Sequence, residues 1–210
     1  MKIHEKMQQR TPEWYQLRLG KPTASSFGEL ITPTGKPAAS ANRYINKLIA
    51  ERLSGVAEEG YINSAMQHGI DHEENAMAYY ELMTDYEIMN VGFVTNDNDS
   101  YGCSPDGLVT KSNETNKILK GVEIKCPQSA THIEYLRENK MPSKYIPQVQ
   151  GCMLVTDAQE WDFVSWHKNL PNLIVTIQRD DEFITKLNSQ IEKALTIIET
   201  SVRYIKRNFK

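Results

Sequence analysis

With 210 residues, 40% of them hydrophobic and 24% charged, the chain is long enough for one domain with a substantial core, and no apolar run approaches the about 20 residues that cross a bilayer. Its net charge of −3 hides a partition: residues 1–52 carry +5, residues 53–106 carry −11 with no Lys or Arg, and residues 107–210 carry +3, a pattern that permits nucleic-acid binding without demanding it. Three widely spaced cysteines, Cys103, Cys126 and Cys152, exclude a disulfide framework and a Cys-x-x-Cys metal site, so a reduced, cytoplasmic setting is expected.

Thr11-Pro12-Glu13 is an N-cap, a first-turn proline and a first-turn acid, and predicts a helix that carries Trp14, Leu17 and Arg18 before Gly20 stops it. Thr23 is the expected cap of a second short helix containing Ser25 and Phe27. Arg18 beside that new helix start offers an anion pocket; an exposed surface arginine is the alternative. Ser40 caps a helix to about Leu53, with Gly55 ending it, and Ser64 opens another to about Met83. On that helix Glu73 has Gly69 and Ala76 beside it, so its carboxylate can reach a neighbouring strand. His68 and His72 stand at i and i+4, but their order differs from His-Glu-x-x-His and no third nitrogen ligand is evident, which disfavours zinc.

Residues 87–95 read as one strand and Asn96–Asp99 as a turn. Ser104-Pro105-Asp106-Gly107 is a bend that aims a carboxylate, and residues 111–119 are expected as a polar turn. Gly121–Lys125 then alternates, placing Glu123 and Lys125 on one face of a strand and Val122 and Ile124 on the other. Asp106 and Glu123 together make a hard oxygen-donor site suited to magnesium or manganese, with Lys125 positioned to orient a water or stabilise a phosphorane. A solvated hairpin is the competing reading of the same spacing. Further on, Ser129–Lys140 reads as a helix with Ile133 and Leu136 buried, and Tyr145–Met153 as a helix entered through Pro147. Strands follow over 160–167 and 173–178, then a last helix from Asp180 or Asp181 whose end, Arg203, Lys206, Arg207 and Lys210, is basic.

Pro105-Asp106 and, after 16 residues, Glu123-Ile124-Lys125 resemble the PD-(D/E)XK nuclease signature. The longer form, Cys103–Gly107 with Glu123–Pro127, resembles the lambda-exonuclease branch, the YqaJ-type viral recombinase family. Trp14–Gly20 with Thr23-Ala24-Ser25, His68–Ala76, and Gln148-Val149-Gln150 resemble the family's other motifs, in the same order. The resemblance implies an α/β (α+β) fold, a restriction-endonuclease-like core with a mixed central sheet flanked by helices, as one domain over 1–210. It also implies a Mg2+-dependent (alternatively Mn2+-dependent) 5′-to-3′ exonuclease acting on double-stranded DNA ends. Two ions would be held by Glu73, Asp106, Glu123 and the Ile124 carbonyl, with Lys125 and Gln148 completing the catalytic set. Arg18, Ser25 and Ser104 would bind the 5′-phosphate. The implied setting is phage-type recombination in a bacterial cytoplasm, with a homotrimeric ring passing 3′ single strands to an annealing protein. Thr131 stands where the family has a phosphate-binding arginine, leaving His132 or Arg137 as candidates to compensate. The rival readings are a structure-specific or nicking endonuclease and a non-catalytic DNA-binding module; the intact Asp106, Glu123 and Lys125 speak against the latter.

Overall fold

The computed structural model describes residues 1–4, 7–57, 64–111 and 114–209. Lys210, expected in the basic tail, lies outside them. Helix α1 (Pro12–Arg18) starts where the cap chemistry says it should: Thr11 accepts from the Trp14 N–H at 3.3 Å, and Gly20, at φ 63°, turns the chain. A 3-10 helix follows at Ala24–Glu29, then α2 (Ala41–Ser54), closed by left-handed Gly55, and α3 (Ser64–Thr84). Strand β1 (Lys2–His4) pairs with β3 (Phe93–Thr95), and β3 with β4 (Gly102–Cys103), forming a small antiparallel sheet.

The larger sheet has the order β2 (Ile88–Met89), β5 (Gly107–Lys111), β6 (Glu114–Lys125), β7 (Glu160–Ser165) and β8 (Leu173–Gln178). Only the β6–β7 pair is parallel, so this sheet is mixed. The β6-to-β7 crossover is built from α4 (Ser129–Glu138), a 3-10 turn at Ser143–Tyr145, and α5 (Ile146–Thr156). Helix α6 (Asp181–Asn208) begins on Asp180, whose carboxylate accepts the Phe183 N–H at 2.9 Å. The class is α/β with a mixed sheet flanked by helices.

Two expectations fail here. Residues 87–95 form two strands in different sheets, because the chain must pass Met7 closely: a Cβ on Gly92 would lie 2.1 Å from the Met7 carbonyl oxygen. The polar turn over 111–119 is instead strand from Glu114 onward, extending β6 to 12 residues.

The sheet divides the core. On one face α5, α6 and the 3-10 helix bury Phe27, Met153, Phe163, Leu187, Ile191 and Ile198. On the other, α3 packs Ala76 and Tyr80 against Val122, Ile124 and Val164. Tyr80 also donates to buried Asp162 at 2.6 Å, and Lys120 and Thr176 complete that carboxylate's partners. This fixes the rotation of α3. Glu73 lies seven residues before Tyr80, on the same stripe, which carries it to the cavity that Asp106 and Glu123 also line.

Candidate active site

The strand alternation of β6 is realised: Val122 and Ile124 face α3, while Glu123 turns the other way. Glu123 is 1% exposed, so this face is buried polar chemistry rather than a solvated surface. One of its oxygens accepts from Lys125 Nζ and from Gln148 Nε2, the latter at 2.6 Å. Gln148 arrives there on the first turn of α5, whose entry is set by Pro147. The other oxygen, Oε2, is buried with no hydrogen-bond partner among the described residues. An orphaned carboxylate oxygen is costly unless a ligand meets it.

Asp106 is aimed by the Pro-Asp-Gly bend. Its Oδ2 accepts the Ile124 N–H at 2.6 Å, and Gln9 Nε2 holds the bend by donating to the Pro105 carbonyl at 2.9 Å. Burial and the neighbouring Glu123 push the Asp106 carboxyl well above the ordinary carboxylate range, with Glu73 adding to the effect and Lys125 opposing it. For Lys125, burial works against the charge, but Glu123 and Asp106 outweigh it and hold the ammonium above its usual value. Glu73 lines the same cavity and is ion-paired with Arg10. Ile124 also lines it.

Among the described residues, no group of three His, Cys, Asp or Glu is arranged to hold an ion as it stands. Glu73, Asp106 and Glu123 share one cavity of about 650 Å³, but Glu73 is turned to Arg10 and Asp106 to a backbone amide. The donor chemistry still fits a hard divalent cation. Two carboxylates crowd each other, one oxygen has no partner, and a cation would relieve both conditions.

Arg18, Ser25 and Ser104 come together from three elements. Arg18 donates to Ser104 Oγ at 3.0 Å, to Thr23 Oγ1 at 3.3 Å and to Ser25 Oγ at 3.4 Å. Its guanidinium lies 4.1 Å from the Trp14 ring centroid, so it is an enclosed side chain and not an open surface arginine. Trp14 Nε1 donates to Ser104 Oγ and to the Gly92 carbonyl, tying α1 to the strand that leads to Asp106. The 3-10 helix is joined to the same strand by the Thr23–Gly102 bridge. Burial pushes Arg18 down to about 10, and among the described residues no carboxylate pairs with it.

Several residues fall elsewhere than expected. The inward face of α4 is His132 and Tyr135, with Ile133 40% exposed. His132 is fully buried between Ser165 Oγ and the Pro171 carbonyl, 2.8 Å from each, which removes it as a phosphate contact. Arg137 is exposed and does not line the cavity, whereas Thr131 does. Gln150 is structural: it donates to the Gln178 carbonyl and accepts the Asp180 N–H. His72 Nδ1 is engaged with the His68 carbonyl at 2.9 Å. Sequence reasoning missed Arg10, Lys144 and Tyr145, all of which line the cavity. Arg10 has a positive φ of 67° and no motif around it, so nothing local marked it.

The YqaJ-like viral recombinase domain matches residues 13–159. Among solved structures, the chain is similar to an alkaline exonuclease, LHK-Exo, from Laribacter hongkongensis, with 37% identity and a TM-score of 0.83 over 94% of this chain and 97% of that one. A complex of LHK-Exo with dAMP matches over the same shares at 36% identity and a TM-score of 0.83. A phage-related exonuclease from Haemophilus somnus 129PT shares the fold at 17% identity and a TM-score of 0.69, over 88% of this chain and 96% of that one. No curated protein matches the sequence.

Proposed function

Because the chain belongs to the YqaJ-like viral recombinase family, we propose that it is a divalent-metal-dependent exodeoxyribonuclease that degrades one strand of duplex DNA from its 5′ end. The observation that carries this reading is the partnerless Glu123 oxygen beside Asp106 and Lys125 in a cavity that also contains Arg18. Asp106, Glu123 and the Ile124 carbonyl would hold the metal, with Glu73 joining once released from Arg10. Mg2+, or Mn2+ in its place, would supply Lewis-acid activation of a water and charge stabilisation at the scissile phosphate.

The chain's own groups do the rest. Lys125 keeps its proton and presents positive charge where the phosphoryl oxygens gain negative charge. Gln148, anchored to Glu123, orients the attacking water or the phosphate through its remaining amide oxygen and proton. Arg18 has three hydroxyl contacts at 3.0–3.4 Å that a terminal phosphate can replace with shorter, charge-assisted bonds. A cation that anchors the 5′ end would set the direction of travel. The chain would act as a single nuclease domain, in a homotrimeric ring, leaving 3′ single strands for an annealing protein in phage-type recombination within a bacterial cytoplasm. Among the described residues, no helix is long and apolar enough to cross a membrane.

The test is a linear 5′-phosphorylated duplex labelled separately at its 5′ and 3′ ends, beside a closed circle, with and without Mg2+. The 5′ label should leave first as a mononucleotide, only with Mg2+, and the circle should survive. A nicked or linearised circle would favour the endonuclease reading. Binding without cleavage would favour the non-catalytic one.

A further inference from the structure

Thr131 supplies no charge to the cavity, His132 is turned into the core, and Arg137 does not line it, yet besides Arg18, Lys125 and the Glu73-paired Arg10 a further cation, Lys144, does. Lys144 sits on the 3-10 turn that leads into α5, one helical turn before Gln148 and on its side of the chain. Its ammonium lies 4.9 Å from the Tyr145 ring centroid and 5.7 Å from that of Tyr135. The two phenol oxygens are 3.4 Å apart and the rings meet edge to face at 88°, so the pair forms a corner that holds the ammonium. Lys125 Nζ lies 5.3 Å from the same Tyr145 ring. Tyr145 is thus flanked by the lysine of the carboxylate centre and by a second lysine. Among the described residues, no carboxylate pairs with Lys144.

A lysine held against aromatic rings in the wall of the cavity that contains the carboxylates, without an acidic partner among the described residues, is suited to a phosphodiester oxygen. Contacts run from Arg18 through Ser104 to the bend at Asp106, then across to Ile124, and from Glu123 through Lys125 and Tyr145 to Lys144. Arg18 and Lys144 occupy opposite ends of that series. We infer that Lys144, braced by Tyr135 and Tyr145, is a positioning residue that grips the phosphate immediately 3′ of the scissile one. This rests on the function proposed above, in which Arg18 takes the terminal phosphate and the carboxylates take the next. Three successive phosphates would then be held, and the scissile one would be fixed from both sides.

The experiment replaces single phosphates near the 5′ end with neutral methylphosphonates, and measures cleavage of the terminal nucleotide by the wild-type protein, Lys144→Ala and Lys144→Arg. The wild-type protein should lose about tenfold in kcat/KM when the phosphate 3′ of the scissile one is neutralised, the scale of one charge-assisted contact. Lys144→Ala should show that loss on the unmodified duplex and no further loss from this methylphosphonate, whereas a methylphosphonate farther along should slow both alike. Lys144→Arg should restore most of the rate and the positional sensitivity. Additive losses, with Lys144→Ala as sensitive as the wild type, would overturn the role of Lys144 while leaving the nuclease reading intact. Failure of the wild-type protein to release the 5′ nucleotide from the unmodified duplex would overturn both.

Discussion

Replacing Arg18 with methionine separates what this side chain does for the fold from what it does for a substrate. Burial lowers the guanidinium from its ordinary value to about 10, countered only weakly by Tyr44, Cys103, Tyr15 and Glu51. At 1.36 kcal/mol per pH unit, the charged form costs the ligand-free fold about 3 kcal/mol. The folded value lies below the unfolded one, so this cost is fully present below about pH 10 and fades only as pH rises above it. Methionine keeps an apolar stem against Trp14 but forfeits about 1–2 kcal/mol of cation–π attraction and the hydroxyl contacts. With about 0.5–1.5 kcal/mol for each of the three hydroxyl contacts, the losses roughly offset the relief of burying the charge, so Tm should stay within about 2–4 °C of the wild type. Calorimetry in phosphate-free buffer measures this, together with initial rates on 5′-phosphorylated and 5′-hydroxyl duplexes. The variant should lose about 10- to 100-fold on the phosphorylated end and little on the hydroxyl end, as expected for one lost charge-assisted contact. A Tm more than about 5 °C lower would show that the buried charge stabilises the ligand-free fold, and retained discrimination between the two ends would remove Arg18 from the 5′-phosphate site.

Asp106→Asn should abolish cleavage yet raise the metal-free Tm, since it removes one of two crowded carboxylates; thermal scans with increasing Mg2+ should then show stabilisation of the wild type only. Gln148→Ala should lower kcat by about 10- to 100-fold with a near-wild-type circular dichroism spectrum, because it removes one neutral donor from Glu123 and a water-orienting group. Gly121→Ala tests the fold that carries the site: its Cβ would lie 2.2 Å from the buried Trp161 ring, so denaturant titration should show a loss of about 1–3 kcal/mol.

Local chemistry made much of this architecture legible. Thr11-Pro12, Gly55 and Asp180 mark helix ends through capping bonds and left-handed turns that depend on a few adjacent residues. The two-residue period of β6 likewise fixed which side chains accompany Glu123. Long-range contacts decided the rest. Gly92 stands in the gap between two strands, where Met7, 85 residues earlier, comes too close to leave room for a Cβ. The extension of β6 reads as polar, yet Lys120 is drawn in by Asp162, 42 residues away. His132 looks like a surface residue until Ser165 and Pro171 close around it, and that closure rotates the buried face of α4. At the site, the residue types were legible, but the pairing of Glu73 with Arg10 and the bracing of Lys144 by two tyrosines were not. The first joins residues 63 apart in sequence, and the second depends on how the turn after α4 folds Lys144 back over Tyr135.

Glu123 and Asp106 leave a place for a divalent cation beside Lys125. Electron paramagnetic resonance titration of Mn2+ into the wild-type protein and Glu123→Gln tests it without reference to any DNA. The wild-type protein should take up Mn2+ in a way that Mg2+ competes away, and Glu123→Gln, though folded, should lose that uptake. Equal Mn2+ binding by both proteins would contradict it.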